Sequence, residues 1–183
     1  MRFLVVIPAK SGSKRLEEKN TKKIGNQTLI EIAIDYAKNS KYVDSIVVST
    51  DSNKIKEHIE SMNLCKCIIR DENLSGETEV FEVYENALKL SGEEVDYVIG
   101  LQPDNPDRKL KLDEAISYVV DNNLDDFFTV GVDGKKNGSI RIFRSSLESI
   151  SNPKVNSLVD DCTNIHHASD LAKATRSILI DPN

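Results

Sequence analysis

The sequence predicts an α/β domain: a mostly parallel mixed sheet with helices on both faces. Three observations predict it. Apolar runs of strand length alternate with amphipathic runs of helix length along the chain. The 183 residues are 39% hydrophobic and 30% charged, a balance that suits one folded domain and not a disordered chain. Polar and charged residues gather where the apolar runs end, and open α/β sheets bind ligands beyond the carboxyl ends of their strands.

The elements follow in order. FLVVIPA (3–9) is a continuous apolar run and reads as a buried strand. TLIEIAIDYAKNS (28–40) carries Leu29, Ile32, Ala33, Tyr36 and Ala37 at helical spacing. SIVVSTD (45–51) is a second buried strand, and SNKIKEHIESM (52–62) is an amphipathic helix capped by Ser52. CKCIIR (65–70) is a third strand, followed by a helix over 77–90 whose inner face is Val80, Val83, Tyr84, Ala87 and Leu88. DYVIGLQ (96–102) is the fourth strand and LDEAISYVVDN (112–122) the next helix. Strands at 127–132 and 139–143, a short helix from Ser145 and a last strand SILID (177–181) complete the reading. Residues 151–176 show no clear period and read as a helix plus loop. Such alternation builds βαβ units and a mostly parallel sheet. Without repeat, linker or low-complexity tract, residues 1–183 read as one domain.

Net charge is −6. That argues against a nucleic-acid coat or a membrane-surface protein, because nothing global attracts phosphate backbones. An anionic ligand needs a local basic site. No stretch approaches the ~18 apolar residues of a membrane span. The N-terminal apolar run is too short for a signal-peptide core. Cys65, Cys67 and Cys162 do not make an even disulfide set, so a reducing cytoplasm fits best. Cys65 and Cys67 share one face of a strand. A zinc site there would need two more ligands, drawn from Cys162, His166 and His167, and ordinary half-buried thiols are the simpler reading.

The basic site is IPAKSGSKRLEEKN (7–20), which follows the first strand. A small, glycine-containing turn lets backbone N–H groups approach an anion, and Lys and Arg add charge. The spacing is neither that of a P-loop nor G-x-G-x-x-G. In LQPDNPDR (101–108), Asp104 sits between two prolines that hold the chain, either as a turn and cap residue or as a Mg²⁺ ligand. Asp181 ends the run SILID, in the same row as Asp104 if that run is a strand. The adjacent His166 and His167 point in different directions and do not suit a shared metal.

Taken together these stretches resemble the CMP-sugar synthetases, the cytidylyltransferases that activate sialic-acid-like nonulosonates and Kdo. IPAKSGSKRLEEKN is similar to I-P-A-R-x-G-S-K-R-L-P-x-K-N, and IGNQTLIEIAIDYAKNS to L-x-G-K-P-L-I-x-x-x-I. VDSIVVSTDSNKI carries the family's V-V-S-T-D, and RDENLSGET resembles R-P-x-x-L-A-x-D-T. LQPDNPDR resembles L-Q-P-T-S-P-L-R of the sialic-acid branch, with Asp104 where the Kdo branch has the aspartate of Q-G-D-E-P. NGSIRIF (137–143) is similar to N-G-A-I-Y-I, and Ile180 and Asp181 to the end of I-D-I-D.

The resemblance implies a Rossmann-like nucleotidyltransferase fold using CTP, Mg²⁺ and an acidic small-molecule acceptor. Ala9, Lys10, Ser11, Gly12, Ser13 and Arg15 would meet the nucleotide, Lys19 and Asn20 the triphosphate, and Arg70 the base. Gln102 and Asn137 would meet the acceptor. Asp104 and Asp181 would hold the metal, with Lys19, Arg15 and Asp104 forming the catalytic set. Lys10 stands in place of an arginine, Glu17 of a proline and Leu179 of the first aspartate of I-D-I-D. The interval around 131–140 is short where relatives build the acceptor pocket and homodimer contact. The alternatives are the same fold with GTP or another nucleotide, and a trimmed non-catalytic nucleotide-binding protein.

Overall fold

The computed structural model describes residues 1–13, 15–74 and 79–180. Its order is β1 (Phe3–Ala9), the short hairpin β2 (Lys23–Ile24) and β3 (Gln27–Thr28), α1 (Leu29–Lys38), β4 (Ser45–Thr50), α2 (Asn53–Ser61), β5 (Lys66–Ile69), α3 (Val80–Ser91), β6 (Tyr97–Leu101), α4 (Leu112–Asp121), β7 (Asp126–Val130), β8 (Lys136–Arg144), β9 (Val155–Val159) and α5 (Ala168–Leu179).

The main sheet runs β5-β4-β1-β6-β8-β7-β9. β5, β4, β1 and β6 are parallel, β8 runs antiparallel to β6 and to β7, and β9 is parallel to β7. The sheet is therefore mixed and mostly parallel among its first strands, as the alternating pattern predicts.

Period 2 along β1 decides which helix lies where, because successive side chains point to opposite faces. Phe3, Val5 and Ile7 pack with Ile30 and Ile34 of α1, Ile59 of α2 and Ile116 of α4. Leu4 and Val6 point the other way, onto Tyr84 and Ala87 of α3 and onto Phe143. Both faces are covered, so the central strands are apolar throughout. Gly100 on β6 lets α3 come close: a Cβ there would lie 2.2 Å from the Tyr84 ring.

Caps set where the helices start. Thr28 accepts from the Glu31 N–H while the Glu31 carboxylate accepts from the Thr28 N–H at 2.5 Å, a closed capping box. Ser52 caps α2 through the Ile55 N–H.

Three expectations need correction. SILI is not a strand: Ser177–Leu179 close α5, whose Leu171, Ala174 and Ile178 lie at helical spacing on Ile24, Leu29 and Ile165. A short apolar run fits either element, and these neighbours demand the helical face. The seventh strand of the sheet is instead β9, inside the stretch read as a helix plus loop. It is an edge strand with Val155 and Val159 exposed, so no burial alternation marks it in the sequence. The helix expected from Ser145 is a single 3₁₀ turn, Leu147–Ser149.

Candidate functional site

The carboxyl ends of β1, β4, β5 and β6 open into one cleft of about 770 Å³. The basic loop after β1 forms one wall, through Lys10, Ser11, Gly12, Ser13, Arg15, Lys19 and Asn20. Asp51, Arg70, Gln102, Asp104 and His166 line the rest with a few apolar side chains.

Hydrogen bonds from outside the loop hold it in place. Asn20 is buried, and its Nδ2 donates to the Lys10 carbonyl at 2.8 Å, tying the loop's two ends together. β1 and β4 end side by side at Ala9↔Thr50, which brings Asp51, the residue after β4, close to the loop after β1. The Ser11 N–H donates to Asp51 Oδ1 at 2.7 Å. Asp51 Oδ2 lies 3.7 Å from Arg70 Nη2, and Arg70 Nη1 donates to the Ser49 carbonyl at 3.2 Å. The Arg70 guanidinium is almost wholly buried, and its Nε has no hydrogen-bond partner among the described residues. Burial weakens its hold on its proton, and the Asp51 carboxylate counters that.

The opposite wall is built around Asp104. Lys19 Nζ donates to Asp104 Oδ2 at 2.5 Å and to the Ile165 carbonyl at 3.0 Å. The Ile165 N–H donates to the Asp104 carbonyl at 2.9 Å. Asp107 clamps the same segment by accepting from the Thr163 N–H and hydroxyl at 2.7 and 2.9 Å. His166 therefore stands at the cleft beside Asp104, just ahead of α5. Asp170 accepts from the N–H groups of His166 and His167 at 2.9 and 2.8 Å and so fixes this turn. Burial lowers the His166 pKa from the usual histidine value, the Arg15 and Lys19 cations lower it further, and Asp104 and Asp170 oppose them.

Gln102 owes its position to a glycine. Gly138 has φ +75°, and a Cβ there would lie 2.4 Å from Gln102 Nε2. The Gln102 carbonyl accepts from Arg108 Nη2 at 2.5 Å, and Arg108 also reaches the Ser139 carbonyl.

The structure thus brings together ten residues expected at the site: Lys10, Ser11, Gly12, Ser13, Arg15, Lys19, Asn20, Arg70, Gln102 and Asp104. Ala9 lies behind them, fully buried in β1. Asn137 does not line the cleft. Its Oδ1 accepts from Thr129 and from the Ser139 N–H, and its Nδ2 donates to the Asp160 carbonyl, so its amide braces β8. Asp181 lies outside the described residues. The end of α5 that reaches the cleft is its N-terminal one, and Leu179 is roughly 16 Å further along the helix. Leu179 and Ile180 line a second, apolar groove with Lys23 and Leu171.

The sequence reading did not assign Asp51 or His166 to the site. Asp51 ends a strand adjacent to β1, a signal that was present; His166 sits in the segment without periodicity. The thiols are chemically quiet, since burial pushes Cys65, Cys67 and Cys162 up to about 11. No helix among the described residues is long and apolar enough to cross a membrane.

Comparison with known proteins agrees with this geometry. The family model described as cytidylyltransferase matches residues 4–177. A CMP-N,N'-diacetyllegionaminic acid synthase of Legionella pneumophila is 37% identical over 125 residues, which are 66% of this chain and 53% of that protein. The chain spans about half the length of the curated relatives it matches. Among solved structures, a CMP:2-keto-3-deoxy-manno-octonic acid synthetase complexed with CTP superposes with a TM-score of 0.77 at 13% identity, over 99% of this chain and 100% of that one. HddC from Yersinia pseudotuberculosis complexed with GMP-PN superposes with a TM-score of 0.73 at 15% identity, over 97% of this chain and 100% of that one. These two likenesses establish the fold, an α/β architecture with a mixed sheet. With the family match covering nearly the whole described sheet, the chain belongs to the cytidylyltransferase family.

Proposed function

We propose that this protein transfers CMP from CTP to an acidic sugar, or to a related acidic or phosphorylated acceptor, and releases pyrophosphate. The observation that carries the reading is the cleft itself: among the described residues four cations, Lys10, Arg15, Lys19 and Arg70, line about 770 Å³ with two strand-end carboxylates, Asp51 and Asp104. Of these, Asp51 is already engaged by Ser11 and Arg70. That arrangement suits a polyphosphate and little else in an acidic protein.

In the reaction an acceptor oxygen attacks the α-phosphorus, and the bond from that phosphorus to the bridging oxygen of the β-phosphate breaks. Pyrophosphate leaves with the negative charge, and the acceptor's proton passes to solvent. Such transfers need in-line positioning and charge neutralisation more than a covalent intermediate. Lys19, Arg15 and Lys10 neutralise the phosphates. Asn20 and Asp51 hold the loop in the conformation that presents Ser11, Gly12 and Ser13 to them. Gln102, fixed against Gly138, faces the acceptor.

The donor set also fits a divalent metal. Asp51 has both oxygens engaged, whereas Asp104 uses Oδ2 for Lys19 and, among the described residues, keeps Oδ1. One carboxylate plus substrate phosphates is how Mg²⁺ is commonly held. Bound there, the ion would screen charge on the phosphates during transfer. The β7–β8 connection is only the turn between Val130 and Lys136, which supports a compact acceptor pocket. The three unbridged cysteines support a reducing cytoplasm.

The second reading keeps the fold and uses a purine nucleotide, which the GMP-PN complex of HddC favours. Thermal-shift titration with CTP, GTP, UTP and ATP, each with Mg²⁺, separates the two. A ligand at a hundred times its Kd stabilises by about 2.7 kcal/mol. CTP should give the largest shift; a larger one with GTP would overturn the choice of base.

A further inference from the structure

Three carboxylate or imidazole side chains line the described part of the cleft: Asp51, Asp104 and His166. Asp51 is spent on the Ser11 N–H and on Arg70. The other two stand together. The Ile165 N–H binds the Asp104 carbonyl at 2.9 Å, and Lys19 ties Asp104 Oδ2 to the Ile165 carbonyl, so the residue after Ile165 is held against the Asp104 turn from both sides. Asp170 closes the other flank of that residue through the His166 N–H. Among the described residues no third His, Cys, Asp or Glu completes a protein cage, and a bound polyphosphate and water can supply further ligands.

We propose that Asp104 and His166 form a two-ligand half-site, one carboxylate oxygen and one imidazole nitrogen, that holds a first-row transition metal more tightly than Mg²⁺. The proposal rests on the nucleotidyl-transfer reading, because the nucleotide's phosphates complete the coordination shell. Mg²⁺ demands hard oxygen ligands and sheds water reluctantly, whereas imidazole adds affinity along the transition series. Oxygen donors alone discriminate weakly against the abundant Mg²⁺, and His166 in the shell sharpens the preference. The same turn explains why histidine is tolerated there: its backbone is already fixed by Asp170, and the residue is part of the cleft lining.

The test uses the whole chain with CTP, and Mn²⁺ as the probe. Pulsed electron paramagnetic resonance of the ternary complex should show the ¹⁴N coupling of a directly bound imidazole, and ¹⁵N-histidine labelling should replace it. His166→Asp should abolish the coupling and lower the ratio of Mn²⁺ to Mg²⁺ affinity by about tenfold or more, the scale on which even outer partners of metal ligands act. A wild-type complex that binds CTP and Mn²⁺ without nitrogen coupling would overturn the half-site and leave the nucleotide reading intact. Absence of metal binding in a CTP complex would overturn it as well. Failure of CTP to bind in chelator and in Mn²⁺ alike would overturn both. The wild-type spectrum decides even if the variant does not fold.

Discussion

Removing the Asp51 carboxylate tests how the cleft is held ready. Asp51 joins the loop after β1 to the residue after β5, through Ser11 on one oxygen and Arg70 on the other. At 3.7 Å, and with an effective dielectric constant of about 20, the pair's Coulomb attraction is about 4 kcal/mol. Desolvation of both groups offsets part of that in the intact protein. It is not recovered in Asp51→Ala, where Arg70, 3% exposed in its side chain, stays charged and buried with one backbone carbonyl as its acceptor. Breaking such a pair typically costs about 3–5 kcal/mol, and the remaining 15% exposure of Asp51 puts the expected loss near the lower end, about 3 kcal/mol. The Ser11 bond adds little, because Ser11 is exposed and water can replace its acceptor. Asp51→Asn keeps an acceptor for Ser11 and should lose about 2 kcal/mol, isolating the charge. Urea denaturation measures both. CTP affinity should fall about tenfold in Asp51→Ala, or about 1.4 kcal/mol, because the loop is no longer preset. A double-mutant cycle with Arg70→Met should give a coupling of about 1 kcal/mol or more. Stability within about 0.5 kcal/mol of wild type, with additive single variants, would refute the clamp.

Gly138→Ala places a Cβ within 2.4 Å of Gln102 Nε2 at φ +75°, so Gln102 must leave its position. We expect about 1 kcal/mol of lost stability from the backbone alone, with acceptor KM raised more than CTP KM in steady-state assays. Glu31 predicts a pH dependence. Burial opposes its ionisation, but the Thr28 N–H and hydroxyl and the His58 ring outweigh that and hold its pKa below the usual 4.5. A carboxylate with a lowered folded pKa stabilises above its unfolded pKa and loses that contribution as pH falls through the folded value. The stability gap between wild type and Glu31→Gln, measured by denaturation, should therefore be full above about pH 4.5 and shrink below it.

How much of this could be read from the sequence depended on the length scale of the signal. Apart from the short β2–β3 hairpin, the strands and helices from β1 to α4 announce themselves, the central strands as runs apolar throughout because both faces are covered and the helices by one apolar face at helical spacing. β9 hid because an edge strand with exposed valines carries no alternation, and SILI misled because four apolar residues fit a helix or a strand. Among site residues, the basic loop and Asp104 were legible from charge and position after strands. Asp51 needed the adjacency of the β1 and β4 ends to reveal that it accepts from the Ser11 N–H. His166 needed the Asp104–Ile165 bond, a contact between residues far apart in the chain. Asn137 was read for its neighbourhood in a motif, and its amide proved to be occupied by Thr129, Ser139 and Asp160.

The central claim is that the cleft carries out nucleotidyl transfer from CTP, and pyrophosphate release tests it most directly. Wild-type protein with CTP and Mg²⁺ or Mn²⁺ should release pyrophosphate with at least one member of an acceptor panel spanning nonulosonates, Kdo and small phosphorylated acids. Lys19→Met should lower that rate roughly 10²–10³-fold, the usual cost of losing one charge-stabilising group. No release above background from any nucleoside triphosphate with any acceptor, in a protein that still folds, would contradict the account.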